Sequence, residues 1–144
     1  MTKAFSLHPL LIDSTIELAQ LPLSTLLLSN DKQYPWFILV PRVADIQDIY
    51  QLADQEQSQL LAESSLLSRL LMKLYQGEKM NVAAIGNICP QLHLHHIVRF
   101  KDDIAWPAPV WGFKQAVPYS ENEINEVIAK ITPLIAEHTV VTDV

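Results

Sequence analysis

The sequence predicts an α+β fold, an antiparallel sheet of about five strands with one main helix and a C-terminal helix. Three observations predict it. Two short apolar runs flank a polar, proline-closed turn; leucines then recur at helical spacing; strand character returns before a capping box opens a last helix. Strands grouped around a helix, rather than alternating with helices, point to an antiparallel sheet and not to a βαβ array.

The elements follow in order. Thr15–Leu18 is a candidate first strand. Leu23–Ser29 ends in Asn30-Asp31-Lys32-Gln33-Tyr34-Pro35, and Trp36-Phe37-Ile38-Leu39-Val40 follows, closed by Pro41. Two such runs joined by such a turn predict a hairpin. Leu60, Leu67, Leu71 and Leu74 then recur at helical spacing. Asp54 and Gln57 form a capping pair ahead of them, and Gly77 is placed to end the helix, so a helix is predicted over 55–76. A shorter helical lead-in is expected over 44–52. Strands are expected over 79–85 and 92–100, joined by Gly86-Asn87-Ile88-Cys89-Pro90. Ser120-Glu121-Asn122-Glu123 is a capping box before Ile124, Val127, Ile128 and Ile131, in a helix that Pro133 ends or kinks.

Composition bounds the function. The 144 residues suit one domain, 1–144, with a core of about 15–100 and a Trp/Pro loop and helix over 101–144. A hydrophobic content of 49% with 18% charged residues separates the chain from disordered sequences. No apolar stretch is long enough to span a bilayer, and the start carries no secretory pattern. The single cysteine, Cys89, cannot form an internal disulfide, which fits a reducing cytoplasm. A net charge of −6 without a basic stripe argues against nucleic acid as partner, though a small anion can still find a locally positive pocket.

The chemistry concentrates in Pro90–Phe100, PQLHLHHIVRF, where three of the five histidines of the chain fall within four residues. Strand alternation puts Leu92, Leu94, His96 and Val98 on one face, and Gln91, His93, His95, Ile97 and Arg99 on the other. The leucine face is the core face, which gives His96 a structural, hydrogen-bonded role. His93 and His95 then stand roughly 6.5–7 Å apart at their Cα atoms. Such a row suits a metal site, but no third ligand lies nearby. It also suits a structural pair. Alternatively, a neutral imidazole held at one nitrogen presents a lone pair at the other and attacks phosphorus, with a neighbouring imidazole and an amide binding the phosphate oxygens.

At this point the stretch resembles the histidine triad family of nucleotide hydrolases and transferases, whose signature is histidine and apolar residues in alternation, ended by two apolar residues. Here it stands as Gln91-Leu92-His93-Leu94-His95-His96-Ile97, with VAAIGNICPQLHLH resembling the loop ahead of the triad and LLLSNDKQYPWFILVPR the hairpin. The resemblance implies His93 as nucleophile and His95 on the transferred phosphate. It implies Asn30 near the ribose or base, and Asn81 and Asn87 near the sugar and phosphates. It also implies a homodimer, and no cofactor or resident metal. Two positions depart from the pattern: Gln91 stands for the first triad histidine, and Pro35-Trp36 for the usual Gly-His. Both departures fall in one part of the site, an amide beside an indole. On this reading Gln91 joins His95 in holding phosphate oxygens, Trp36 borders the substrate, and Arg99 either binds a distal phosphate or forms a surface ion pair. Dinucleoside polyphosphates and nucleoside phosphoramidates are both candidate substrates; the rival reading is a nucleotide-binding protein with little turnover. Asp102–Phe113, DDIAWPAPVWGF, is either a covering loop or an aromatic wall for a base or a second copy.

Overall fold

In the computed structural model of the chain, which describes residues 3–139, five strands form one antiparallel sheet in the order β1-β2-β3-β5-β4. The strands are β1 (Thr15–Gln20), β2 (Ser24–Ser29), β3 (Trp36–Pro41), β4 (Lys79–Ala83) and β5 (Leu94–Arg99). The helices are α1 (Pro9–Ser14), α2 (Asp54–Tyr75) and α3 (Glu121–Thr139). The hairpin expected from the proline-closed turn is β2–β3, with Leu28 opposite Phe37 and Leu26 opposite Leu39. β5 then inserts beside β3, with Ile38 opposite His95 and Trp36 opposite Ile97. β4 closes the order as an edge strand.

The two faces of the sheet are covered differently. On one, Leu26, Leu28, Phe37, Leu39, Leu94 and Val98 pack against Leu60, Leu67 and Leu71 of α2 and Val127, Ile131 and Ile135 of α3. These leucines of α2 recur at helical spacing, so one stripe of the helix is buried along its length. On the other face, Leu27, Ile38 and Val40 meet Leu11 of α1 and Cys89, while Ile97 packs with Tyr34, Ala105 and Val110. That second cover, made of α1 and the segment after β5, frames the functional site.

Several local expectations are corrected. The cap of α2 lies one residue earlier than Asp54: Glu56 Oε1 accepts from the Ala53 amide at 2.8 Å, and Gln57 turns back to the Leu52 carbonyl at 3.0 Å. The lead-in is helical only at Ile49–Gln51, because Gln51 Oε1 takes the amides of Gln47 and Asp48 and Asp45 sits at φ 61. The last strand starts at Leu94, because the Leu92 amide bonds to the Ile46 carbonyl instead of the sheet. Pro133 does not end α3. A proline inside a helix costs about 3 kcal/mol; burying Val127, Ile131 and Ile135 on that helix is worth roughly 1.5–3 kcal/mol each and outweighs it. The Ser120–Glu123 box is present as read, with both reciprocal bonds made. α1 was not foreseen; Pro9 at its first turn and the His8 Nδ1 cap on the Leu10 amide build it.

Gly77 follows α2 for a reason of space. Gln76 takes the left-handed conformation, and the chain then runs so close to β5 that a Cβ on Gly77 would lie 2.4 Å from Val98 Cγ1 and 2.7 Å from Met72 Sδ. Val98 is fully buried, so it has little room to yield. Gly77→Ala is expected to lower stability by about 1–3 kcal/mol, read as a shifted urea midpoint. An unchanged midpoint would show that Met72 and Val98 repack freely.

Candidate functional site

β5 and the residue before it carry three histidines, and each is held by a main-chain carbonyl. His93 Nδ1 donates to Gln91 O at 2.6 Å, His95 Nε2 to Ile85 O at 3.2 Å, and His96 Nδ1 to Leu94 O at 3.1 Å. A carbonyl only accepts, so the bonded nitrogen bears the proton and the other nitrogen of a neutral ring bears the lone pair. The three lone pairs have different fates. That of His96 accepts from Ser64 Oγ on α2 at 2.7 Å, which fixes the helix to the sheet and accounts for a fully buried imidazole. That of His95 accepts from the Trp36 indole Nε1 at 3.0 Å. Nε2 of His93 has no hydrogen-bond partner among the described residues.

His93 and His95 line a cleft of about 500 Å³ with Trp36, Ile38, Ile85 and Trp111. The cleft also reaches Leu10, Leu11 and Ser14 of the α1 segment and the Gly86–Cys89 loop. The His93 and His95 rings are 4.8 Å apart, and Trp111 meets His95 at 5.1 Å and Trp36 at 5.7 Å, both edge to face. Gly86 lets the loop pass over His93, since a Cβ there would stand 3.4 Å from His93 Cε1 and 3.1 Å from the Cys89 carbonyl. Burial pushes His95 down to about 4, helped by the neighbouring His93 and opposed by the Ile85 bond. Burial likewise takes His96 down to about 4. Both rings are therefore neutral at neutral pH.

The other expected site residues divide. Trp36 and Asn87 border the cleft. Gln91 does not present its amide there: Oε1 accepts from the His8 amide and Nε2 donates to Ser6 O, both at 2.9 Å, so the side chain ties down the N-terminal segment. Its contribution to the cleft is the carbonyl that holds His93. Asn30 Oδ1 accepts from the Tyr119 amide at 2.9 Å. Asn81 and Arg99 are brought to each other, with Arg99 Nη1 at 2.9 Å from Asn81 Oδ1. Arg99 is neither a surface ion pair nor free for a distal phosphate. It is 1% exposed and bonds Asp103 through Nε and Nη2, with Nη2 also reaching Ala108 O. Burial works to raise Asp103, but the Arg99 bond and the amides of Phe100 and Trp106 outweigh it and hold the carboxyl below its usual range. Trp111, in the segment expected to be either a covering loop or an aromatic wall, packs with the cluster over Ile97 and also lines the cleft. Leu10, Leu11 and Ser14 were missed; the His8-Pro9 helix start was their only signal.

Among the described residues no group of three His, Cys, Asp or Glu side chains could hold a metal ion, so the strand-borne metal reading finds no ligand set. No described helix is long and apolar enough to cross a membrane.

With the geometry in view, comparison with known proteins defines the class. The HIT domain family model matches residues 13–102, and the chain belongs to this histidine triad family. Proteins of the family are nucleotide-binding hydrolases and transferases. A histidine triad protein from Marinobacter aquaeolei is 51% identical, with 94% of this chain and 98% of that one covered and a TM-score of 0.92. Histidine triad proteins from Bradyrhizobium japonicum and Sinorhizobium meliloti are each 40% identical, with TM-scores of 0.88 and 0.86. They cover 95% and 92% of this chain, and 99% and 96% of their own. No curated protein matches.

The neutral rings have a thermodynamic consequence. The folded protein protonates His95 and His96 only near pH 4, whereas the unfolded chain does so near 6.5. Stability is therefore full above 6.5 and falls as the pH drops toward 4, by an amount on the order of 3 kcal/mol per ring. Urea midpoints between pH 7 and 5 measure this before most carboxylates titrate. A flat profile there would mean that the folded protein does not hold these rings neutral.

Proposed function

We propose that this chain is a nucleotide hydrolase or nucleotidyl transferase that works through a covalent nucleotidyl-histidine intermediate. The observation that carries the proposal is the 2.6 Å bond from His93 Nδ1 to the Gln91 carbonyl, which leaves Nε2 as a lone pair on the cleft wall. His93 Nε2 attacks the α-phosphate of a nucleotide derivative, and the bond from phosphorus to the leaving group breaks with its electrons on that group. The imidazole keeps its Nδ1 proton and becomes a nucleotidyl-imidazolium, with the Gln91 carbonyl steadying the new positive charge. Water, or another acceptor in a transferase, then attacks phosphorus, and the electron pair returns to Nε2.

The phosphate oxygens need donors. His95 Nε2–H, whose bond to Ile85 O is long at 3.2 Å, supplies one. The amides of Gly86, Asn87 and Ile88 take no main-chain partner among the described residues and supply others. The apolar end at Leu10, Leu11 and Ile38 suits a base or sugar face, and Trp36 and Trp111 border the departing group. Dinucleoside polyphosphates and nucleoside phosphoramidates both present such an α-phosphate. The reading includes one domain over 1–144, whose ends extend beyond the described residues, a cytoplasmic setting and a homodimer. Exposed Val82 on edge strand β4 and exposed Leu61 on α2 support a second copy there.

A second reading, nucleotide binding with little turnover, draws support from Gln91, whose amide is turned away from the cleft. His93→Ala separates the two. In an enzyme it lowers kcat by roughly 10³–10⁶-fold while calorimetry shows nucleotide affinity retained. Wild-type protein that binds nucleotide but turns over neither substrate class would establish the binding reading.

A further inference from the structure

The hydrogen bond between the Trp36 indole and His95 has a meaning beyond packing. An indole N–H only donates, so His95 Nδ1 must be bare to receive it, and the Ile85 carbonyl only accepts, so Nε2 must bear the proton. With both nitrogens so engaged, a second proton at Nδ1 would have to displace the indole. Trp36 itself is held by an edge contact from Tyr34 at 6.3 Å and by Trp111, so it cannot swing away without opening that aromatic packing. The groups facing His95 are Trp36 from β3, Ile85 from the loop and Trp111 from the segment after β5, with His93 and His96 beside it along the chain. None of them carries a carboxyl group. Among the described side chains lining the cleft only His93, His95 and Cys89 are of ionisable type. Cys89 is packed with Leu11, Leu27, Ile38 and Val40, and His93 is the nucleophile of the reading above.

We infer that Trp36 is a positioning residue that keeps His95 a neutral, one-way hydrogen-bond donor, so that the cleft selects nucleotides whose leaving group departs as a stable oxygen anion. The inference rests on the nucleotidyl-histidine reading and narrows its substrate class. In the first step the phosphorus–oxygen bond breaks and the leaving oxygen keeps the pair, as a phosphate, carboxylate or phenolate, with no proton required. In the second, water gives its oxygen to phosphorus and one proton to solvent, and His93 is restored as the neutral ring. An alkylamine leaving group fails at the first step, because nitrogen must be protonated before it can depart and no side chain lining the cleft supplies that proton.

The test needs no variant at first. Wild-type protein is given adenosine 5′-phosphate aryl esters of graded phenol acidity and an adenosine 5′-alkylphosphoramidate. The expected rate rises about tenfold for each pKa unit by which the phenol is more acidic, and the alkylamidate is cleaved at least about a hundredfold more slowly than the 4-nitrophenyl ester. Equal rates across the series, with the alkylamidate cleaved as fast, overturn the inference and leave the nucleotidyl reading standing. No turnover of any member, and no nucleotide on His93, overturns both. The role of Trp36 is read separately by long-range proton–nitrogen NMR of His95 in wild type and Trp36→Phe. Wild type should show a proton on Nε2 alone at neutral pH; Trp36→Phe should move the His95 titration up toward the ordinary histidine range and narrow the ester-to-amidate ratio at least about tenfold. A protonated Nδ1 in wild type, or an unchanged titration in the variant, overturns the assignment of Trp36.

Discussion

A neutral imidazole has one donor and one acceptor, and this fold uses that constraint three times around one strand. Each ring gives its proton to a main-chain carbonyl, so what distinguishes the three histidines is what meets the remaining lone pair. A serine from α2 meets one and joins helix to sheet. An indole from β3 meets the second and makes it a fixed donor. The third stays bare in a cleft. Structural anchor, oriented donor and the bare nitrogen that the proposed reaction uses thus arise from one residue type, separated by strand alternation and by the neighbouring elements.

The cleft stands on a second interaction, the buried pair of Arg99 and Asp103. Removing two charges from water costs several kcal/mol, and such a pair persists only where further hydrogen bonds complete it. Here they do. Asp103 accepts from the amides of Phe100, Ala105 and Trp106, and Arg99 reaches Asn81 on β4 and the Ala108 carbonyl, with Trp106 5.5 Å beneath its guanidinium. The segment that carries Trp111 is thereby fixed across the end of the sheet. Arg99 is committed to Asp103, Asn81 and Ala108, and so ties down the segment whose Trp111 packs against Trp36 and His95.

The sequence spoke clearly wherever a period or a cap decides the outcome. The β2–β3 hairpin, the buried stripe of α2 and the Ser120–Glu123 box are local patterns, and the separation of His96 from His93 and His95 follows from alternation alone. What alternation cannot supply is a partner. Gln91 lies in the row before His93, yet its amide binds Ser6 and His8, more than eighty residues away in sequence. Asn30 is taken by Tyr119, and Arg99 by a loop whose path depends on that same arginine. These are contacts between distant segments, fixed only once the sheet has formed. The two departures from the family pattern illustrate the limit. Reading them as an amide beside an indole placed both in the cleft, whereas only the indole faces it.

Whether His93 forms a covalent bond to phosphorus is read from the intact mass of the protein seconds after mixing with an activated adenosine 5′-phosphate ester. Wild type and His93→Ala are quenched at mildly alkaline pH, where a phosphoramidate survives. Wild type is expected to gain an adenylyl-sized mass, located at His93 by fragmentation, and the variant none. Product released from wild type with no adduct at any time, or an adduct of equal yield on His93→Ala, would contradict a covalent step at His93.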